Sequence, residues 1–433
     1  MQEKRRWLLL AHSFNMDGRA ASQTVTDKVP YLIDRGIELT VISATTGRKD
    51  TRFEHIQLLP WGPSGLRFDF RHLMANRFGR GWKYRLSTTL VSILLLPFII
   101  VERLALGLNN HSSWAIPAAL RGISLVRQRD YELVFSSGGA WAAHLAAAWI
   151  KRRTGVRWIA EVHDPMVIRD DARDDGTAPR RNRNARYVQK LEGVICREAD
   201  RIWWFTEAAH DYALLRHPEL GDKGFVVYPG SEAPEVEGTY VESGLLNICH
   251  FGSLTNDRSM SRVINGLAEA ASVMPEILDS IRFHTYGTVV DEAGREAMRE
   301  TGLDRVVVEH GRLEFDPKTG LSGRARVTRA MFEADVLLLL HGDYEWCAEY
   351  IPSKYYEYLW AKRPILAVTN RSDSFDRLLT ERSAYICHTL DNQSIAKTLI
   401  DVYQDWRNHR LRLPRGEPIS VASAVDRILE GIN

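Results

Sequence analysis

Strands of a parallel sheet buried on both faces read as unbroken apolar runs, and such runs recur along this chain between stretches of helical periodicity. Residues 7–11 (WLLLA) predict a first strand, residues 25–35 a helix stopped by Gly36, and residues 38–43 the next strand. Residues 133–139 predict a strand that runs into a glycine-rich turn, followed by an alanine-rich helix over 140–151. Residues 157–165 predict a strand ending in the polar groups His163 and Asp164, and residues 201–206 and 224–228 close the series. Residues 229–244 lose all periodicity in a run of Pro, Gly, Ser and Glu, which reads as a linker. The alternation then restarts, with strands at 246–254, 281–286, 306–309, 334–340 and 364–368 and helices at 260–272 and 419–432. Repeated strand–helix units of this kind predict an α/β chain built of two parallel sheets.

Composition fits that reading. A chain of 433 residues exceeds one ordinary domain, and 45% hydrophobic with 26% charged residues is typical of a globular protein with sizeable cores. A net charge of +2 argues against a binder of bulk polyanions, so no nucleic acid is expected as partner. The four cysteines, Cys196, Cys249, Cys347 and Cys387, lie far apart without ligand spacing, so neither a metal site nor a disulfide framework is expected, and a reducing cytoplasm is the simplest location. The basic start is followed by an apolar run only as long as a strand, which is too short for a signal peptide.

The densest chemistry lies in residues 349–366, EYIPSKYYEYLWAKRPIL. Pro352 suits the first turn of a helix, and Tyr355, Tyr356, Leu359 and Trp360 give that helix an apolar stripe. The N–H groups of Ser353, Lys354 and Tyr355 at such a start, together with the helix dipole and the Lys354 charge, suit a phosphate. Glu349 just before the helix and Glu357 within it are acceptors matched to vicinal sugar hydroxyls. The segment follows the apolar run 334–340, so it begins past a strand's carboxyl end, where open α/β sheets bind ligands. The alternative reading is an amphipathic helix with solvated charges.

The order strand, Glu349, seven residues, Glu357, helix and the strand "PILA", with "PSK" and "EYL" inside it, resembles the E-x7-E signature of family 4 glycosyltransferases, and most nearly the bacterial members that build surface polysaccharides. The resemblance extends over nearly the whole chain and implies the GT-B fold, two Rossmann-like domains facing each other across a cleft. The expected boundaries are 1–230 for an acceptor domain, 245–415 for a donor domain, and 416–433 for a helix crossing back to the first. It implies a retaining hexosyltransferase that needs neither cofactor nor metal and uses a nucleotide-diphosphate sugar as donor and a glycan or lipid-linked acceptor. Glu349 would hold hydroxyls of the transferred sugar, Glu357 those of the ribose, and Lys354 the diphosphate. Rival readings are a sugar-nucleotide epimerase or inverting transferase of the same fold, and a non-catalytic nucleotide-sugar-binding subunit.

Other positions follow from the same resemblance. Gly18, in the loop after the first strand, matches a glycine that lets backbone approach the ligand, or else marks an ordinary helix entry. His163 stands where a family histidine contacts the donor sugar, or else is structural. Gly252, Ser253 and Arg258 follow the first strand of the second half. The family's pattern there has an arginine right after the glycine and a lysine some six residues on, whereas this chain has Ser253 and Ser259. Arg258 and Lys354 are the cations left to take over. Gly287 and His310-Gly311-Arg312 form either a floor for the nucleotide base or plain strand-to-helix turns.

Residues 77–108 carry a separate signal. Arg77, Arg80, Lys83 and Arg85, interleaved with Phe78, Trp82 and Tyr84, precede sixteen uncharged residues over 86–101, interrupted by Pro97. That run falls short of the ~20 residues a bilayer span needs. Two readings stand: a buried helix pair, or an interfacial element that would place the protein peripherally on the inner face of a membrane. The run 169–186, with its Asp-Asp and Arg-Arg pairs, reads as a solvated loop that either moves freely or closes over acceptor.

Overall fold

The computed structural model describes residues 5–16, 20–105, 112–138, 141–163, 165–167, 183–256, 258–344, 347, 349–370 and 372–432. Gly18, Asp164 and most of the run 169–186 lie outside the described residues. The chain divides into two compact units, residues 1–229 with 421–433, and residues 230–420.

The first unit is a wholly parallel seven-stranded sheet in the order β3-β2-β1-β4-β5-β6-β7. Its strands are β1 (Arg5–Ala11), β2 (Ile37–Ala44), β3 (Glu54–Leu58), β4 (Leu133–Gly138), β5 (Arg157–Val162), β6 (Arg201–Trp204) and β7 (Gly224–Val226). They alternate with α1 (Ala20–Thr26), α2 (Lys28–Asp34), α3 (Pro63–Phe78), α4 (Trp82–Ala105), α5 (Ala115–Gln128), α6 (Ala142–Thr154), α7 (Arg183–Glu198) and α8 (Glu207–Arg216). Successive side chains of a strand point to opposite faces, so an apolar run such as WLLLA fills two cores at once. Leu8, Leu10, Val134 and Ala160 pack with Ala143, Ala146 and Ala147 of α6, while Trp7, Leu9, Phe135, Ile159 and Trp203 fill the other face with Val29 and Leu32 of α2.

Two expectations are corrected here. The single helix over 25–35 is two short helices that part at Asp27, because Pro30 has no N–H to give the Thr26 carbonyl. The Ser22 and Thr26 hydroxyls accept the N–H groups of Met16 and Asn15, each at 2.9 Å, and Lys28 Nζ donates to the Thr24 carbonyl at 2.9 Å. Residues 86–101 form no buried helix pair: α4 runs unbroken through Pro97 for 24 residues, and most of its apolar side chains are exposed. Proline's fixed φ is compatible with a helix, and the carbonyl of Ile93, which loses its partner, lies on the solvent side. By length and apolar content alone α4 suffices to cross a bilayer.

The second unit is a parallel six-stranded sheet, order β10-β9-β8-β11-β12-β13. Its strands are β8 (Leu246–Gly252), β9 (Ile281–Gly287), β10 (Val307–Gly311), β11 (Val336–Leu340), β12 (Ile365–Thr369) and β13 (Tyr385–His388). Its helices are α9 (Ser261–Val273), α10 (Ile277–Ser280), α11 (Glu292–Thr301), α12 (Gly323–Glu333), α13 (Lys354–Ala361), α14 (Asp373–Glu381) and α15 (Asn392–Arg407). Ile248, Phe283 and Leu338 of the sheet pack with Ile264 and Leu267 of α9 and Leu399 of α15. The aperiodic residues 230–244 are tied to this unit: Tyr240 donates to Asp335, and the Arg363 guanidinium lies 3.7 Å from the Tyr240 ring centre.

The last helix, α16 (Val421–Ile432), belongs to the first unit. Val425, Ile428 and Ile432 are fully buried in the cluster around Trp7 and Trp203, and Arg35 after α2 bonds Asp426 at 2.6 Å. Replacing Ile428 by Ala removes a side chain that α2 and the sheet cannot collapse onto, so Ile428→Ala should cost about 2–5 kcal/mol. A lowered urea midpoint for the first unit is expected; an unchanged midpoint would contradict this packing.

Candidate functional site

A parallel sheet that is wound in both directions opens a crevice where the strand order reverses, at the carboxyl ends of the strands. In the second unit that point lies between β8 and β11, which are neighbours in the sheet. The end of β8 and the loop after it carry Gly252, Ser253 and Arg258, the loop after β11 carries Glu349 and Ser353, and α13 follows with Lys354 and Glu357, so the fold brings these sequence-predicted residues to one edge.

Arg258 Nη2 donates to the Tyr350 hydroxyl at 3.0 Å, which ties the loop after β8 to the loop after β11. Burial pushes the Tyr350 hydroxyl up to about 12, so this partner is neutral at pH 7. The Arg258 Nε atom is buried without a partner, and among the described residues no carboxylate is within ion-pair distance of the guanidinium. Its charge is therefore left for an anion. His341 fixes the backbone there by bonding the Tyr350 carbonyl through Nε2 at 3.0 Å while Nδ1 accepts the Asn370 N–H at 3.2 Å. Glu349, just before Tyr350, is buried.

Helix α13 begins at Lys354, with Ser353 exposed at its cap position and its side chain accepting no cap bond. Its first turn is tight: the N–H groups of Tyr355 and Tyr356 bond the carbonyls of Pro352 and Ser353 at 2.9 and 3.2 Å. The expected trio of anion-facing N–H groups is thus reduced to those of Ser353 and Lys354, since the Tyr355 N–H is spent inside the turn. Lys354 Nζ contacts both Glu357 oxygens at 2.8 Å, a half-exposed i,i+3 pair. Breaking such a pair costs under about 1 kcal/mol, so Lys354 exchanges it readily for a phosphate.

Gly252 and Gly287 end the neighbouring strands β8 and β9 in register, with φ of +150° and +138°. A Cβ on Gly287 would stand 2.1 Å from the Gly252 carbonyl, so only glycine fits there. Ser253 is exposed beside them. Ser259, where the resembling pattern has a lysine, is buried and donates to Asp291 at 2.5 Å, so that position faces the protein rather than a ligand. His250 was missed by sequence reasoning. Its Nδ1 lies 3.2 Å from the Leu338 carbonyl, and burial lowers its pKa to about 4, so it stays neutral and offers Nε2 as a lone pair rather than a charge. On the other face, Phe251, Tyr286 and His310 stack across β8, β9 and β10, with centroids 4.7 and 4.3 Å apart and nearly parallel planes.

No family model matches the chain, and no curated protein matches it. Solved structures do. Anabaena HepE in complex with UDP and glucose aligns with a TM-score of 0.57 over 98% of both chains at 11% identity. S. aureus TarM, in complex with UDP, fondaparinux and an α-GlcNAc-glycerol, gives 0.58 over 99% of this chain and 97% of its own at 10% identity. The lipopolysaccharide outer core galactosyltransferase WaaB gives 0.54 over 98% and 95% at 10% identity. These alignments span both α/β units from end to end. The chain has the GT-B fold.

In the first unit of this GT-B chain, His163 follows β5 and is buried in a network that the sequence did not disclose. Its Nε2 lies 2.9 Å from both Glu161 Oε1 and Ser137 Oγ, and its ring stacks on Phe205 at 4.9 Å. Glu161 also accepts from Trp203 Nε1 at 2.9 Å and pairs with Lys28 Nζ at 2.8 Å, both charges being almost wholly inaccessible. Burial alone would raise the Glu161 carboxyl, but Lys28 and His163 outweigh it and hold the group well below the usual carboxylate range. The available signal was a charged residue inside each of two apolar patterns, Glu161 in a strand and Lys28 in a helix. Gly18 lies outside the described residues.

Removing one member of a buried pair leaves the other charge uncompensated, so Glu161→Gln should cost about 3–5 kcal/mol, with most of it recovered on adding Lys28→Met. Urea denaturation of the single and double variants checks this, and a double variant no more stable than the single would contradict it. A second prediction concerns pH. His55, His250, His284 and His341 are each held at about 4 by burial, against 6.5 for the ordinary group. Between those values the unfolded chain binds protons that the folded chain refuses, so stability is full above about pH 6.5 and falls as pH drops towards 4. Urea midpoints that do not fall across this window would contradict the assignment.

Proposed function

We propose that the chain is a retaining glycosyltransferase that moves a hexose from a nucleotide-diphosphate sugar to a glycan or lipid-linked acceptor in surface polysaccharide synthesis. The observation that carries this reading is the pair of cations at the β8–β11 reversal: Arg258, whose only described side-chain partner is a neutral tyrosine, and Lys354 at the start of α13. A nucleoside diphosphate is an anion that two such cations suit, and UDP is present in the HepE and TarM complexes. Arg258, Lys354 and the N–H groups of Ser353 and Lys354 stabilise the charge that grows on the diphosphate as the glycosidic bond breaks, and side chains fill the role a metal has in other transferases. When Lys354 turns to phosphate, Glu357 is released for the ribose hydroxyls. Glu349 and His163 are assigned to the transferred sugar, and the oxygen of the leaving diphosphate to the acceptor proton. Gly252 and Gly287 let phosphate approach the backbone, with Ser253 as an added donor. We place the enzyme in the cytoplasm, peripheral on the inner face of a membrane through residues 77–108.

One observation favours the non-catalytic reading. Ser259 is turned into the fold, so one of the two charges usual at this edge has no replacement at its own position. The test is turnover of a panel of nucleotide sugars by the wild type and by Lys354→Ala, Arg258→Ala and Glu349→Gln. Loss of one charge-stabilising donor should lower kcat by about 10²–10³-fold, with Lys354→Arg partly active. A wild type that binds a nucleotide sugar but turns over none would establish the binding subunit instead.

A further inference from the structure

The α3–α4 hairpin presents a surface that the donor site does not use. Its two helices run antiparallel: Glu102 Oε2 near the end of α4 accepts the Ser64 N–H at the start of α3 at 2.9 Å, and Arg67 Nε donates to Ser92 Oγ at 3.1 Å. The hairpin is anchored to the ligand-binding edge of the first sheet. Asp69 of α3 is fully buried 3.4 Å from His12, just past β1, and Asn76 donates to the Thr46 carbonyl, just past β2, at 3.1 Å.

Between the helices lies an open groove of ≈ 570 Å³. Arg67, Arg71 and Arg85 line it together with Ile93 and Leu96, so it offers charge and apolar surface side by side. No acid lines it. Over residues 63–105 the chain has seven Lys or Arg against two acids, and both acids are engaged away from the groove, Asp69 beside His12 and Glu102 with the Ser64 N–H. Outward from the groove α4 exposes Leu86, Leu90, Leu94, Phe98, Val101 and Leu104, each between 50 and 75% accessible. The opposite face of α4, where Tyr84, Thr88, Ser92 and Glu102 flank the buried Ile99, packs on α3, so the polar groups of this helix are covered by protein and its apolar side chains are left outward.

We propose that the groove holds the phosphate headgroup of an anionic membrane lipid, with the outer face of α4 seated among the acyl chains. This deepens, and rests on, the peripheral membrane contact proposed above. Arginine forks match phosphate oxygens, Ile93 and Leu96 receive the start of an acyl chain, and Trp82 with Tyr84 sits at headgroup depth. The consequence is that α3 brings lipid phosphate beside the carboxyl ends of β1 and β2, where a lipid-linked acceptor would be handled.

The test is flotation of the full-length protein with vesicles of phosphatidylcholine, with and without phosphatidylglycerol. The wild type should float only with the anionic lipid, and the triple variant R67A/R71A/R85A should bind about a hundredfold more weakly. The variant L90S/L94S/F98S should also lose binding. Both variants should keep the thermal stabilisation that a nucleoside diphosphate gives the wild type, which shows them folded and separates this proposal from the donor site. Equal flotation on neutral vesicles, or a triple variant that floats like the wild type, would overturn it. So would stabilisation by inorganic pyrophosphate that the triple variant loses while no vesicle binds, which would mark a free-phosphate site. A dimer in lipid-free buffer that the apolar variant disperses, again without vesicle binding, would assign the face to a second copy.

Discussion

The candidate site depends on a cation held by a neutral partner. Arg258 is tied to Tyr350, whose hydroxyl stays protonated, and its Nε has no partner among the described residues. An arginine paired with a carboxylate would already have its charge satisfied, and a phosphate would have to displace that partner. Here the hydrogen bond fixes the guanidinium without neutralising it, which is the arrangement a site preorganised for an anion requires. The same bond ties together the two loops that leave β8 and β11, so the geometry of the cation and the geometry of the α13 start are set by one contact.

The first unit treats charge in the opposite way. Lys28 and Glu161 are buried together and saturated by Thr24, Trp203, Ser137 and His163, so no charge is left over for solvent or ligand. A pair of that kind adds little net stability against a well-packed apolar alternative, and its effect is to fix orientation. Glu161 holds the His163 ring through Nε2, while Phe205 stacks on its face.

The parallel strands were legible because each is a largely apolar run between helical stretches, and the central ones came out within three residues at each end. The edge strands β3, EHIQL, and β13, YICH, were not, because a strand covered on one side needs few apolar residues and gives a weak pattern. At the β8–β11 edge, local spacing pointed to Glu349, Ser353, Lys354 and Glu357, and strand ends to Gly252 and Gly287, which the fold brings to that edge. What stayed hidden was pairing over distance. Arg258 and Tyr350 are 92 positions apart, and nothing near either one announces the other. The break at Asp27 was missed for a different reason: apolar periodicity runs across it, while Pro30 removes the donor for the Thr26 carbonyl.

The central claim is that Arg258 and Lys354 hold a diphosphate at the reversal between β8 and β11. A crystal structure of the full-length protein with UDP tests it most directly. The account predicts diphosphate oxygens within hydrogen-bond distance of the Arg258 guanidinium and of Lys354 Nζ, with Lys354 released from Glu357. A diphosphate bound elsewhere, with Lys354 still paired to Glu357, would contradict it.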